Sequence, residues 1–275
     1  MRTLWAAACL GCLAAAQPNL KPQRFEAQCA DREIQELGLD CSIEEPCKVY
    51  FEISGVEHSG RRLFLAGNFH TETYTIESVL LASEDEGATW TEPHPRIKGA
   101  TLEQIQFADP ESGWISGVFA GSIAKDPFFL RTADGGKTWQ RQTIFEDTEY
   151  ATIEHFWFES KSQGMMVLNR RGQGTARFHR METTTGGENW ILREAAPKPP
   201  PPKRQRAGMS LNPDWRVRTD SAAKAFRLER RNAGRWNPVA LFSYDGGACK
   251  PAPPPPPPEE PKSAEPDKPN GPGSR

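Results

Sequence analysis

Apolar and polar residues alternate in short runs along most of this chain, and the runs are broken by glycine, proline, asparagine and aspartate. From Lys48 onward they read Val49-Tyr-Phe-Glu-Ile53, Arg62-Leu-Phe-Leu-Ala66 and Ser78-Val-Leu-Leu-Ala82. Leu102-Glu-Gln-Ile-Gln-Phe107, Trp114–Val118 and Phe128–Arg131 continue the pattern. Thr152–Phe158, Gly164–Leu168 and Ala176–Met181 follow, then Trp215–Arg218, Ala225–Arg230 and Trp236–Phe242. Period-two alternation between turn residues predicts half-buried antiparallel strands. Helical spacing is confined to one short stretch, Arg32–Leu39.

An octet punctuates the strands. Ser83-Glu-Asp85-Glu-Gly87-Ala-Thr89-Trp90 and Thr132-Ala-Asp134-Gly-Gly136-Lys-Thr138-Trp139 share the pattern Ser/Thr-x-Asp-x-Gly-x-Thr-Trp. A worn copy stands at Thr183-Thr-Thr185-Gly-Gly187-Glu-Asn189-Trp190, and Ser243-Tyr-Asp245-Gly-Gly247 is a possible fourth copy that lacks its tryptophan. Equivalent positions lie 49, 51 and 60 residues apart. One hairpin motif every ~50 residues, with about four strands between, predicts an all-β, propeller-like array of about four four-stranded blades. Within the octet, hydroxyl and carboxylate oxygens can accept hydrogen bonds from turn amides. Gly87 and Gly136 permit positive φ, and the tryptophan brings a large ring back under the turn. Each residue type has a structural task, so Asp85 and Asp134 read as turn anchors and not as acids.

These octets resemble the Asp-box, or bacterial neuraminidase repeat. Residues 102–139, with Gly113-Trp114 and Asp134-Gly-Gly-Lys-Thr-Trp139 in order, are similar to repeats of the photosystem II stability/assembly factor family. The resemblance implies a β-propeller and a non-catalytic, protein-binding or assembly role. Full members have six or seven blades, whereas this chain has room for about four. Four blades can close a ring tightly; an open array or an oligomer is the alternative.

The termini differ in composition. Arg2, the apolar run Leu4–Ala16 and the small residues Ala14-Ala15-Ala16 predict a signal peptide over 1–16, and the apolar run is too short to span a bilayer. Lipidation at Cys9 or Cys12 lacks the usual lead-in. Cleavage after Ala16 leaves Cys29, Cys41, Cys47 and Cys249, an even number that suggests two disulfides in one of three connectivities for a secreted or periplasmic protein. The alternative is one local bridge and two free thiols. Residues 17–47 read as a Cys-containing extension, 48–194 as three blades, 195–210 as a proline-rich insertion and 211–249 as a degenerate last blade. Residues 250–275 form a proline-rich tail that is expected to be disordered, because it has no large apolar side chain to bury.

Formal net charge is −2, which implies no polyelectrolyte partner for the whole chain. Between residues 203 and 235, ten Lys/Arg face three Asp/Glu, and Arg216, Arg218, Arg227, Arg230 and Arg231 form a candidate basic patch for an anionic ligand. The alternative is a solvated sheet face. Export disfavours nucleic acid.

No Gly-x-Ser-x-Gly elbow or His-Glu-x-x-His pair occurs, the five histidines are scattered, and neither cofactor nor metal is implied. A sialidase needs an arginine triad and a Tyr/Glu pair. Arg96-Ile97 lacks the expected proline, and adjacent Glu149 and Tyr150 would point to opposite faces of a strand. The sequence therefore reads as an exported, non-catalytic scaffold that binds a protein or cell-envelope component. A carbohydrate-active propeller, hydrolase or glycan-binding lectin, is the alternative.

Overall fold

A computed structural model describes residues 20–172, 174–200 and 213–253. The expected signal peptide, most of the proline-rich insertion and the tail beyond residue 253 lie outside the described residues. The N-terminal extension holds one helix, α1 (Asp31–Leu37). The Ala30 N–H donates to Glu33 Oε2 at 2.9 Å and Gly38 ends the helix at φ 61°, so both ends are capped.

Among the described residues the named strands all pair antiparallel, as the alternation predicts. The first sheet contains β1 (Cys47–Ser59), β2 (Arg62–His70), β3 (Thr75–Ser83) and β4 (Ile97–Lys98). The second contains β5 (Ala100–Phe107), β6 (Gly113–Ala120), β7 (Ala124–Thr132) and β8 (Gln140–Thr143). The third contains β9 (Ala151–Phe158), β10 (Gly164–Arg170), β11 (Phe178–Thr183) and β12 (Ile191–Ala196). The fourth has three strands, β13 (Trp215–Asp220), β14 (Ala225–Asn232) and β15 (Arg235–Ser243). β1 runs past the break that Ser54-Gly55 suggests, because the ladder takes a bulge there and resumes. A side chain at Gly55 would come within 3.1 Å of Ile105 in the second sheet, which explains the glycine.

Three cores order the sheets. Phe51, Leu65 and Phe69 of the first sheet pack with Trp215, Leu228 and Phe242 of the fourth. The other face of the first sheet, with Phe64 and Leu80, packs against Leu102, Ile115 and Trp139 of the second. Trp114 and Phe129 of the second meet Phe156 and Phe158 of the third, with the Trp114 and Phe158 rings stacked 3.7 Å apart. Each such fully buried ring contributes about 1.5–3 kcal/mol. The spatial order is therefore fourth, first, second, third.

Buried amides stitch neighbouring sheets together. Asn68 donates to the Leu102 carbonyl at 3.0 Å and accepts from its N–H at 2.8 Å. Gln106 does the same with Phe158 at 2.9 Å on both sides, and Gln104 with Phe156. Each side chain acts as a peptide group and satisfies a backbone pair that would otherwise be orphaned in the core.

The last strand departs from the expected plan. β16 (Asp245–Cys249) follows β15 where a fourth strand of the fourth blade should lie, but it pairs with β1, with Cys249 opposite Cys47. The vacated edge of β15 is met by the N-terminal extension: the Gln23 N–H donates to Leu241 O and Ser243 N–H to Gln23 O, both at 2.8 Å, in a parallel bridge. The two ends of the chain thus exchange places. Cys29 is bonded to Cys249 across 220 residues and Cys41 to Cys47 across 6.

Candidate functional site

The octets are closed hydrogen-bonded turns. In the first, Ser83 Oγ accepts from the Gly87 N–H and donates to Asp85 Oδ1, both at 2.8 Å. Asp85 also accepts from the Thr89 N–H and hydroxyl at 2.8 and 2.6 Å, and Trp90 Nε1 donates back to Gly87 O. Thr132, Asp134, Gly136, Thr138 and Trp139 repeat these bonds. The hydrogen bonds from Thr89 hold the Asp85 carboxyl at about 2. Burial opposes ionisation of Asp134, but bonds from Thr138, Thr132 and Lys137 outweigh it and its carboxyl also lies at about 2. Both are committed anions inside turns. A Cβ on Gly136, whose φ is 80°, would lie 2.3 Å from the Phe64 ring of the preceding sheet, so this turn also locks two blades together.

The third octet keeps only part of this. Gly187 N–H still donates to Thr183 Oγ1 and Asn189 N–H to Thr185 Oγ1, but Trp190 Nε1 is buried without a hydrogen-bond partner. The fourth is no longer the same turn. Ser243 Oγ accepts from Asp245 N–H and Asp245 from Gly247 N–H, with no bond from Gly247 to Ser243, because residues 245–249 extend as β16 toward Cys29.

The side chains that a propeller hydrolase would draw on are held elsewhere. Arg96 donates to Glu77 at 2.7 Å, to both oxygens of Glu92 and to the Glu26 carbonyl, and it lies over the Phe69 ring. Burial alone would lower its pKa, and the two carboxylates raise it. Glu77 is fully buried and also accepts from Gln28 N–H and pairs with Lys98 at 2.9 Å, so the cluster ties the N-terminal extension to the first sheet. Sequence reading missed this cluster, since nothing in Ile76-Glu77-Ser78 marks the glutamate as buried. Glu149 accepts from Nε and Nη2 of Arg170, while Tyr150 faces outward. Burial lowers the His58, His155 and His179 pKa values, with Arg230 and Arg170 adding to the effect at His58 and His179. Among the described residues no group of three or more His, Cys, Asp or Glu is placed to hold a metal ion.

The five arginines of the candidate basic patch do not share one surface. Strand alternation sends Arg216, Arg218, Arg227 and Arg231 to the outer face of the fourth sheet and Arg230 to its inner face, over Trp215 and paired with Glu86 of the first octet. Arg218 and Arg227 are direct cross-strand partners. Asp220 and Glu229 partly neutralise the outer face, and Arg216 lies 4.1 Å over the Trp236 ring.

At the far end of the array, the outer face of the third sheet carries a cleft of about 620 Å³ lined by Trp157, Met165, Arg180, Glu182, Thr184 and Pro200. Glu182 is bound by Arg180 and Arg193. The alternation Phe156-Trp157-Phe158 was the sequence signal for an outward tryptophan between two core rings.

Residues 49–246 match the family described as BNR repeat-like domain. Among solved structures, YCF48 bound to a D1 peptide is 17% identical over 70% of this chain and 55% of its own, with a TM-score of 0.37. YCF48 from Cyanidioschyzon merolae is 19% identical over 71% of this chain and 57% of its own, with a TM-score of 0.36. A polysaccharide lyase of a new family, an ulvan lyase, is 8% identical over 73% and 52%, with a TM-score of 0.39. The chain spans about half the length of these structures. No curated protein matches it.

Proposed function

The chain belongs to the BNR repeat-like domain family, and from that premise we propose that it is an exported, non-catalytic propeller-like scaffold that binds a protein or cell-envelope partner. One observation carries this reading: the acids and arginines that could serve catalysis are engaged in structure. Asp85 and Asp134 are saturated by turn hydrogen bonds, Arg96 is embedded against Glu77 and Glu92, and Glu149 is held by Arg170. A general acid must hold a proton near neutral pH, and Asp85 and Asp134, held at about 2 by their turn hydrogen bonds, do not. What the molecule offers outward is broad sheet surface at the two ends of the array. The two disulfides support export to an oxidising compartment, and among the described residues no helix is long and apolar enough to cross a membrane.

The cleft at Trp157 supports a second reading, a glycan-binding or glycan-cleaving propeller, because an aromatic floor beside a carboxylate suits a sugar ring. The test is capture from an envelope fraction on immobilised protein, followed by rebinding of each purified candidate. The scaffold reading expects one saturable protein or envelope ligand. Retention of nothing but oligosaccharides would overturn it in favour of the second.

A further inference from the structure

The order of the sheets leaves two faces without a sheet opposite them. Among the described residues, no shared core, hydrogen bond or ion pair joins the third sheet to the fourth. Among the described residues the array is thus an open arc whose ends are the outer faces of those two sheets, with Pro200 at the edge of the Trp157 cleft on one of them.

The ends are unlike and complementary. On the strands of the third sheet the outer face shows Glu154, Glu182 and Glu194 against Arg180 and Arg193, around Trp157, Met165 and Ile191. Ile191 is 53% exposed, the most exposed large apolar side chain among the described residues. On the fourth sheet the outer face shows Arg216, Arg218, Arg227 and Arg231 against Asp220 and Glu229, around Trp236 and Pro238. One end is acidic overall and the other basic. Arg218 and Arg227 stand directly opposite each other, an arrangement that destabilises an isolated sheet. An acidic surface docked on this face would relieve it.

We propose that the occupant of both ends is a second copy of this chain, docked head to tail, with the third sheet of each copy against the fourth sheet of the other. This rests on reading the open sheet faces as binding surfaces, and it names their partner. Two such contacts related by a dyad close a ring from two arcs, the commonest oligomeric symmetry. With strands ~4.8 Å apart and ~3.3 Å per residue, each face measures roughly 400 Å², so one contact buries roughly 800 Å² over both partners. That is the size of an incidental contact, whereas the two contacts of a closed pair bury roughly 1,600 Å², which is standard for a stable complex. Ring closure is therefore what makes the association stable, and it predicts a discrete dimer and not a growing filament.

Sedimentation velocity of the full chain, from micromolar to submillimolar concentration, tests this. The expected result is a dimer that weakens with added salt and weakens about tenfold or more in Ile191→Glu and, separately, in Arg231→Glu. Both positions are exposed, so circular dichroism should report an unchanged fold. Glu194→Arg alone should weaken the dimer likewise, and combined with Arg231→Glu, which exchanges a charge on each end, it should recover part of the loss seen in either of these two single variants. A monomer at every concentration, or a dimer indifferent to all these substitutions, overturns the inference. A monomer that still captures an envelope partner overturns it while leaving the scaffold reading intact.

Discussion

Asp134 shows at single-residue scale how this chain uses its acids. Its carboxyl lies at about 2 in the folded state, below the ~3.9 of an unfolded chain, and Asp85 behaves alike. A depressed folded value means that the stabilisation is complete above about pH 4 and is lost as pH falls toward about 2. Melting temperature measured from pH 5 to pH 2 should fall steeply in the wild type, and the Asp134→Asn difference should shrink as the pH drops through that window. Gln106 makes a second case. Gln106→Leu removes both partners of Phe158 and should cost about 1–3 kcal/mol for each backbone group left unpaired, read by urea denaturation. Sequence alone marked Gln106 as a polar position on a half-buried strand, the wrong face in effect. An amide that substitutes for a neighbouring strand's peptide group cannot be recognised until that strand's position is known.

At the scale of the element, the octet is the most legible part of the sequence, because its spacing encodes its own hydrogen bonds. Threonine at position 185 leaves the third turn with fewer bonds to residue 189, and Trp190 Nε1 separately lacks the bond to the glycine carbonyl that Trp90 and Trp139 make. Thr185→Asp with Asn189→Thr should rebuild the missing bonds and raise stability by about 0.5–1.5 kcal/mol in chemical denaturation. The likeness ends at Ser243, where the same residue types lead into a strand that belongs to another sheet. Local chemistry at Ser243-Tyr-Asp245 favours a turn, and which of Cys29, Cys41 and Cys47 would pair with Cys249, 220 residues from Cys29, could not be read from spacing. For the same reason the five arginines looked like one patch. Alternation separates Arg230 from the others, but the register of β14 against β13 had to be placed first.

On the scale of the whole molecule, the chain ends hold the array together. In the chain-entropy model the Cys29–Cys249 bridge constrains the unfolded state by roughly 5 kcal/mol and the Cys41–Cys47 bridge by roughly 2. Replacing the first pair with serine should therefore lower the melting temperature far more than replacing the second, and hydrogen exchange should rise first in β16 and at β15 where Gln23 docks. Membership of the BNR repeat-like family agrees with the resemblance carried by the octets, and the four-sheet architecture follows from their count. What the octets could not convey is that, among the described residues, the third and fourth sheets share no core, since that depends on which sheet faces meet. On the proposed function, the molecule binds its partner without turning anything over. The most direct measurement is product release by the full chain from a panel of fluorogenic sialosides and uronate-containing polysaccharides. No release above the protein-free rate is expected; release that disappears in Glu182→Gln, at the Trp157 cleft, would make the molecule an enzyme and not a scaffold.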